Sequence, residues 1–234
     1  MKASLPFLAL AFVLGCGPDV GPTNPADRVE VLENELTSAR DLLPVQTGNA
    51  WTYSLRSVEK NAQGQGRETT ATPTLKVTGV NGDNSTVAFV ESNKTISELL
   101  FTSTDNGVVQ RGLKVPGSPS RTYTPAIPIF HWPMEKGEKR EWKGTGFRPA
   151  LGNTGPMEST MEFKGISEVD TPAGRMKAYR FDTLTKYKQG ERELGTTQSV
   201  WLVPKVGIVR NLEVTVTPAT IREAEMKLQS YTVK

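Results

Sequence analysis

From Trp51 onward the chain is a series of short segments in which apolar and polar residues alternate, separated by turn-forming residues. Trp51-Thr52-Tyr53-Ser54-Leu55-Arg56-Ser57-Val58 is the first, and Leu75-Lys76-Val77-Thr78-Gly79-Val80 repeats the pattern. Such a two-residue period is that of a strand with one face buried. Asn81-Gly82-Asp83-Asn84 and Asp105-Asn106-Gly107 supply hairpin chemistry. Further strands are predicted at 86–91, 99–104, 108–113, 160–169, 177–187, 197–203, 208–216 and 223–233, with turns at Pro172-Ala173-Gly174 and Lys188-Gln189-Gly190-Glu191. The links are short and no strand–helix–strand rhythm interrupts them, so the chain is predicted to be mainly β, an antiparallel meander. A sheet of this size must curl or close to manage its edges. The expectation is a large curved antiparallel sheet or half-open barrel with one N-terminal helix.

Residues 114–158 fit this pattern poorly. They hold seven of the 16 prolines, and a long excursion is expected there, with short strands near 127–132 and 139–143. Long loops in compact domains are usually functional or mobile.

The N-terminus reads Met-Lys-Ala-Ser-Leu-Pro-Phe-Leu-Ala-Leu-Ala-Phe-Val-Leu-Gly-Cys. The apolar stretch Ala3–Leu14 is too short for a helix to cross roughly 30 Å of hydrocarbon, and it suits the apolar core of a signal peptide. Val13-Leu14-Gly15-Cys16 resembles the bacterial lipobox. That resemblance implies a diacylglyceryl thioether on Cys16 and cleavage before it. Cys16 is the only cysteine in the 234 residues, so no internal disulfide is available. Two or three acyl chains anchor firmly, since burial adds about 0.8 kcal/mol per CH₂. Gly17 rather than aspartate follows, which in an enteric-type envelope argues against retention in the inner membrane. Residues 17–25 carry three prolines and little to bury, as a tether would.

Asn24-Pro25 fits a helix start. Val29, Leu32, Leu36, Ala39 and Leu43 recur every three or four residues among acidic neighbours, predicting an amphipathic helix over about 25–43 that Pro44 ends. It packs on its own domain or makes a short coiled-coil contact with another chain. The expected organisation is 1–15 signal peptide, 16–25 lipidated tether, 26–44 helical segment and 45–234 β domain.

Three stretches carry a family likeness: Leu43-Pro44 with Gly48-Asn49-Ala50-Trp51-Thr52-Tyr53, Val169 to Tyr179, and Trp201 to Arg210. They resemble the TapB-like bacterial lipoproteins, a group of uncharacterised function allied to exported proteins with LolA-like half-barrel sheets. The likeness covers about a third of the body. It implies an envelope-exposed β domain and brings no catalytic residues.

The chemistry-bearing residues are sparse. His131 is the one histidine, with no Gly-x-Ser-x-Gly elbow to accompany it, and it reads as a polar residue at a strand end. Zinc ligands are lacking, no calcium loop is complete, and no phosphate loop is present. Glu135, Glu138 and Glu141 alternate with Lys136, Lys139 and Arg140 as a solvated edge. No catalytic residue, metal or cofactor is therefore expected. A formal net charge of +3, nearer two once Lys2 is cleaved, does not suggest nucleic acid. One positive feature remains: Tyr123, Phe130, Trp132 and Trp142 concentrate in the irregular region. They could line the mouth of a curved sheet for an apolar ligand, or form a lid over the domain's own core. The functional expectation is a non-enzymatic envelope lipoprotein that binds an apolar small molecule. The alternative is a scaffold engaging an envelope protein through its N-terminal helix.

Overall fold

The computed structural model describes residues 36, 38–148 and 151–234. Thirteen antiparallel strands follow one another: β1 (Ala50–Asn61), β2 (Gly66–Ala71), β3 (Thr74–Asn81), β4 (Asn84–Glu91), β5 (Lys94–Thr104), β6 (Gly107–Lys114), β7 (Arg121–His131), β8 (Lys139–Arg148), β9 (Asn153–Thr171), β10 (Gly174–Gln189), β11 (Arg192–Val203), β12 (Gly207–Val216) and β13 (Thr220–Thr232). From β3 to β13 neighbours in sequence are neighbours in the sheet, β1 pairs with β3, and β13 pairs with β1 from Ala50↔Thr232 to Asn61↔Thr220. The curved sheet therefore closes into a twelve-strand barrel. β2 is the additional strand: it continues the line of β3 along β1, after a break at Thr72-Pro73. Closure removes the unpaired edges that an open meander would expose.

The chain has one described helix, α1 (Ala39–Leu42). The continuous helix expected over 25–43 is not what residues 38–43 form, because Ser38 is extended. Its side chain caps α1 by accepting from the Arg40 amide and donates to Asp105 at 2.9 Å. The rest of the expected helix, with the signal peptide and Cys16, lies outside the described residues. α1 plugs one end of the barrel. Ala39 N–H donates to Asp105 O in the β5–β6 turn (3.0 Å), and Lys205 N–H in the β11–β12 turn donates to Asp41 O (2.6 Å). Leu42 and Ala39 are wholly buried beneath.

Above that plug lies the main core. Trp51, Tyr53 and Leu55 alternate inward from β1, and Met161 and Phe163 do so from β9. The Trp51 indole N–H donates to Val206 O, and the Tyr53 hydroxyl donates to Ile208 O at 2.9 Å. Both bonds reach past β13 to the start of β12. Gly207 sits between them at φ +103, and a Cβ there would meet the Trp51 ring at 3.1 Å. Glycine is the residue that fits this backbone and this gap.

The irregular region of the sequence is mostly strand. β7, β8 and the first part of β9 replace the expected excursion over 114–158. Phe130 and Trp132 belong to the main core: Phe130 is fully buried 5.5 Å from Phe181, and Trp132 stands edge-on to Tyr179 at 5.4 Å.

Candidate functional site

The end of the barrel opposite α1 is built differently. Strand register carries the inward face of β10–β13 upward from Phe181, Val200 and Leu228 into Thr183, Thr185, Thr196, Gln198, Asn211, Glu213, Thr215 and Arg222. These residues share a face with the core below them, since side chains two apart on a strand lie on one side. All but Thr215 keep partial contact with solvent. Polar, partly wet side chains therefore line the inner face of the barrel above the apolar core.

The polar wall is knitted together. Gln198 Nε2 donates to Asn211 Oδ1 at 3.0 Å, the Thr196 and Thr215 hydroxyls lie 3.2 Å apart, and those of Ser159 and Thr185 are also 3.2 Å apart. Arg222 Nε donates to Ser57 Oγ on β1 at 3.2 Å. Burial raises the Glu213 carboxyl above the ordinary carboxylate range, and Arg222 and the Thr215 hydroxyl oppose that rise. On β7, burial and the charge of Glu213 push the Tyr123 phenol up to about 12, with Arg121 acting against them. Tyr123 therefore remains a neutral hydroxyl at physiological pH.

Beside and above the polar residues the lining turns apolar. Trp142, Met157, Tyr187 and Leu194 form a second buried cluster, with Tyr123, Ile127 and Leu151 packed on it. Two glycines of β8 make room for its rings: a methyl group at Gly144 would overlap Trp142, and one at Gly146 would overlap Tyr123. The indole N–H of Trp142 is buried with no acceptor among the described residues. A buried donor left unpaired costs about 1–3 kcal/mol, so this wall carries an unmet capacity for a hydrogen bond.

The four aromatics singled out in the sequence are thus divided. Tyr123 and Trp142 belong to the second cluster at this end, whereas Phe130 and Trp132 belong to the main core. His131 ends β7 at the α1 end, where burial and Arg140 lower its pKa against the pull of Glu138. Glu138 accepts from the Glu135 amide (2.9 Å) and from Arg140 Nε (2.9 Å), and both contacts hold its carboxyl low. Among the described residues no group of three or more His, Cys, Asp or Glu is arranged to hold a metal, and no helix is long and apolar enough to cross a membrane.

Sequence reasoning did not find the polar wall. Its signal in β12 is Asn211-Leu212-Glu213-Val214-Thr215-Val216, where the apolar residues take the outer face. Val216 is 42% exposed, and on adjoining strands Leu184 and Ile221 are 39% and 53% exposed.

No protein-family model matches the chain, the TapB-like group included. No curated protein matches it either. Solved structures do. A provisionally assigned lipoprotein from Parabacteroides distasonis aligns over 82% of this chain and 98% of its own, at 12% identity and TM-score 0.40. A provisionally assigned exported protein with a YmcC-like fold from Bacteroides fragilis aligns over 82% and 98%, at 14% identity and TM-score 0.43. The hypothetical lipoprotein YmcC from Escherichia coli aligns over 84% and 90%, at 9% identity and TM-score 0.37.

Proposed function

We propose that this chain is a non-enzymatic envelope lipoprotein, anchored through Cys16, whose barrel holds an amphiphilic small molecule in a chamber at the end opposite α1. The TapB-like likeness of the sequence belongs to the same reading. The anchor rests on the apolar stretch and Val13-Leu14-Gly15-Cys16. The binding role rests on one observation: a closed barrel, plugged and apolar at one end, carries at the other inward polar side chains adjoining an aromatic cluster. A molecule with an apolar body and a polar group can satisfy both walls. Binding pockets generally combine mostly apolar linings with a few placed polar groups.

A scaffold role through the N-terminal helix gains no support from residues 38–43. Ala39 and Leu42 turn into the barrel's own core rather than toward a partner.

The test uses the full chain with Cys16→Ser, which leaves the protein free of lipid. Saturable uptake of a fluorescent hydrophobic dye is expected, with affinity reduced by Trp142→Gln and unchanged by exposed Lys177→Gln. Absence of saturable uptake would remove the binding role. Intact mass of the mature native protein tests the anchor: residues 1–15 retained and no acyl adduct would remove it.

A further inference from the structure

The barrel wall is split at the chamber end. The β9–β10 ladder stops at Lys186↔Glu158. Residues 153–157 of β9 then pair only with β8, and Tyr187–Gln189 of β10 pair only with β11. A cleft of about 490 Å³ occupies the gap, within the usual range of roughly 300–1,000 Å³ for small-molecule sites. Its apolar lining includes Met157 and Tyr187. Those two side chains also belong to the chamber's apolar cluster, so the cleft and the chamber share a wall.

The charges around the cleft do not cancel. Lys143 pairs with Glu158 at 3.1 Å and Lys186 with Glu193 at 2.7 Å. Arg148 and Lys188 also line the cleft, and among the described residues neither joins an ion pair. Arg148 is held across the split: Nε donates to Asn153 Oδ1 at 3.0 Å and Nη1 to Lys188 O at 3.3 Å. The guanidinium is thereby fixed at the rim with donors to spare. A planar, pre-positioned guanidinium suits the two oxygens of a carboxylate or phosphate. Lys188 adds a second positive charge beside it.

We propose that the split is the head-group subsite of the chamber, and that its ligand is a single-chain amphiphile with an anionic carboxylate or phosphate head. The chain lies against Met157 and Tyr187, and the head meets Arg148 and Lys188. This assignment rests on the binding role proposed above and adds the sign of the head group.

The Cys16→Ser protein, loaded with the fluorescent dye, is titrated with palmitate, palmitoyl lysophosphatidic acid and hexadecanol, each below its micellar concentration. Either anionic amphiphile should displace the dye at concentrations about tenfold or more below hexadecanol, a difference of about 1.4 kcal/mol. Whichever displaces it better separates carboxylate from phosphate. Raising the salt should narrow the gap. Arg148→Gln with Lys188→Gln should abolish the gap by weakening the anionic amphiphiles, while Arg148→Lys should keep part of it. Equal displacement by hexadecanol, or a gap that survives the double substitution, would overturn the anionic assignment and leave the binding role standing. If neither dye nor amphiphile binds, both readings fall.

Discussion

The Glu213 carboxyl has Arg222 and the Thr215 hydroxyl acting on it, and burial outweighs both in setting its protonation. A carboxyl whose folded pKa lies above its unfolded value binds more protons when folded. Its ionised form then opposes folding, so stability falls as the pH rises from the ordinary value of 4.5 through the folded value. Below 4.5 the carboxyl is neutral in both states and the cost vanishes. Glu213→Gln keeps the size and removes the charge. It should raise the melting temperature at pH 8 and leave it unchanged at pH 4, and thermal scans at the two pH values measure this. An equal shift at both would place the effect in packing rather than in charge. Glu91 is raised by burial as well, and it stays common to both proteins in that comparison.

At the scale of elements, α1 is too short to persist alone, since isolated helices below about 12–15 residues are marginal in water. Two kinds of contact hold it. Arg40 bridges Asp83 at 2.9 Å and Asp105 at 3.1 Å, but these pairs are exposed, and exposed pairs contribute roughly 0–1 kcal/mol. Leu42 is fully buried, and truncating a buried leucine costs about 2–5 kcal/mol. Urea unfolding should therefore show Leu42→Ala losing several times more stability than Arg40→Ala. The same scale explains what could be read in advance. Strands β9–β13 were legible because they alternate cleanly and end in turn residues. β7 and β8 were legible only as the short strands near 127–132 and 139–143, because Pro125, Pro128, Gly144 and Gly146 normally break strands. The fold accommodates them through sparse backbone pairing: β7 and β8 share the single pair Thr124↔Thr145. Gly146 is moreover the surface on which the Tyr123 ring lies. The polar wall escaped for a different reason. Alternation at 211–216 reveals two faces, but hydropathy assigns the apolar one to the core, and this barrel turns Asn211, Glu213 and Thr215 inward instead. Tyr123 and Trp142 were legible as aromatics, yet nothing local separated them from Phe130 and Trp132.

The whole molecule depends on one long-range seam. Every residue of β1 pairs with β13, and Leu228 of β13 is wholly buried opposite Tyr53. Deleting residues 220–234 should abolish cooperative unfolding and near-ultraviolet dichroism, because both β1 and β12 would be left with a bare edge. A truncated chain that still melted sharply would mean that the remaining sheet supports itself. The chain reaches this ring from the α1 side, where Leu36 already packs on the core. Any pull transmitted from upstream therefore acts on the stopper and leaves the mouth pointing away. Between Cys16 and Leu36 the backbone can stretch at most about 70 Å. The proposed anchor on that cysteine would therefore hold the barrel like a goblet by its foot, with the rim at the end away from the attachment.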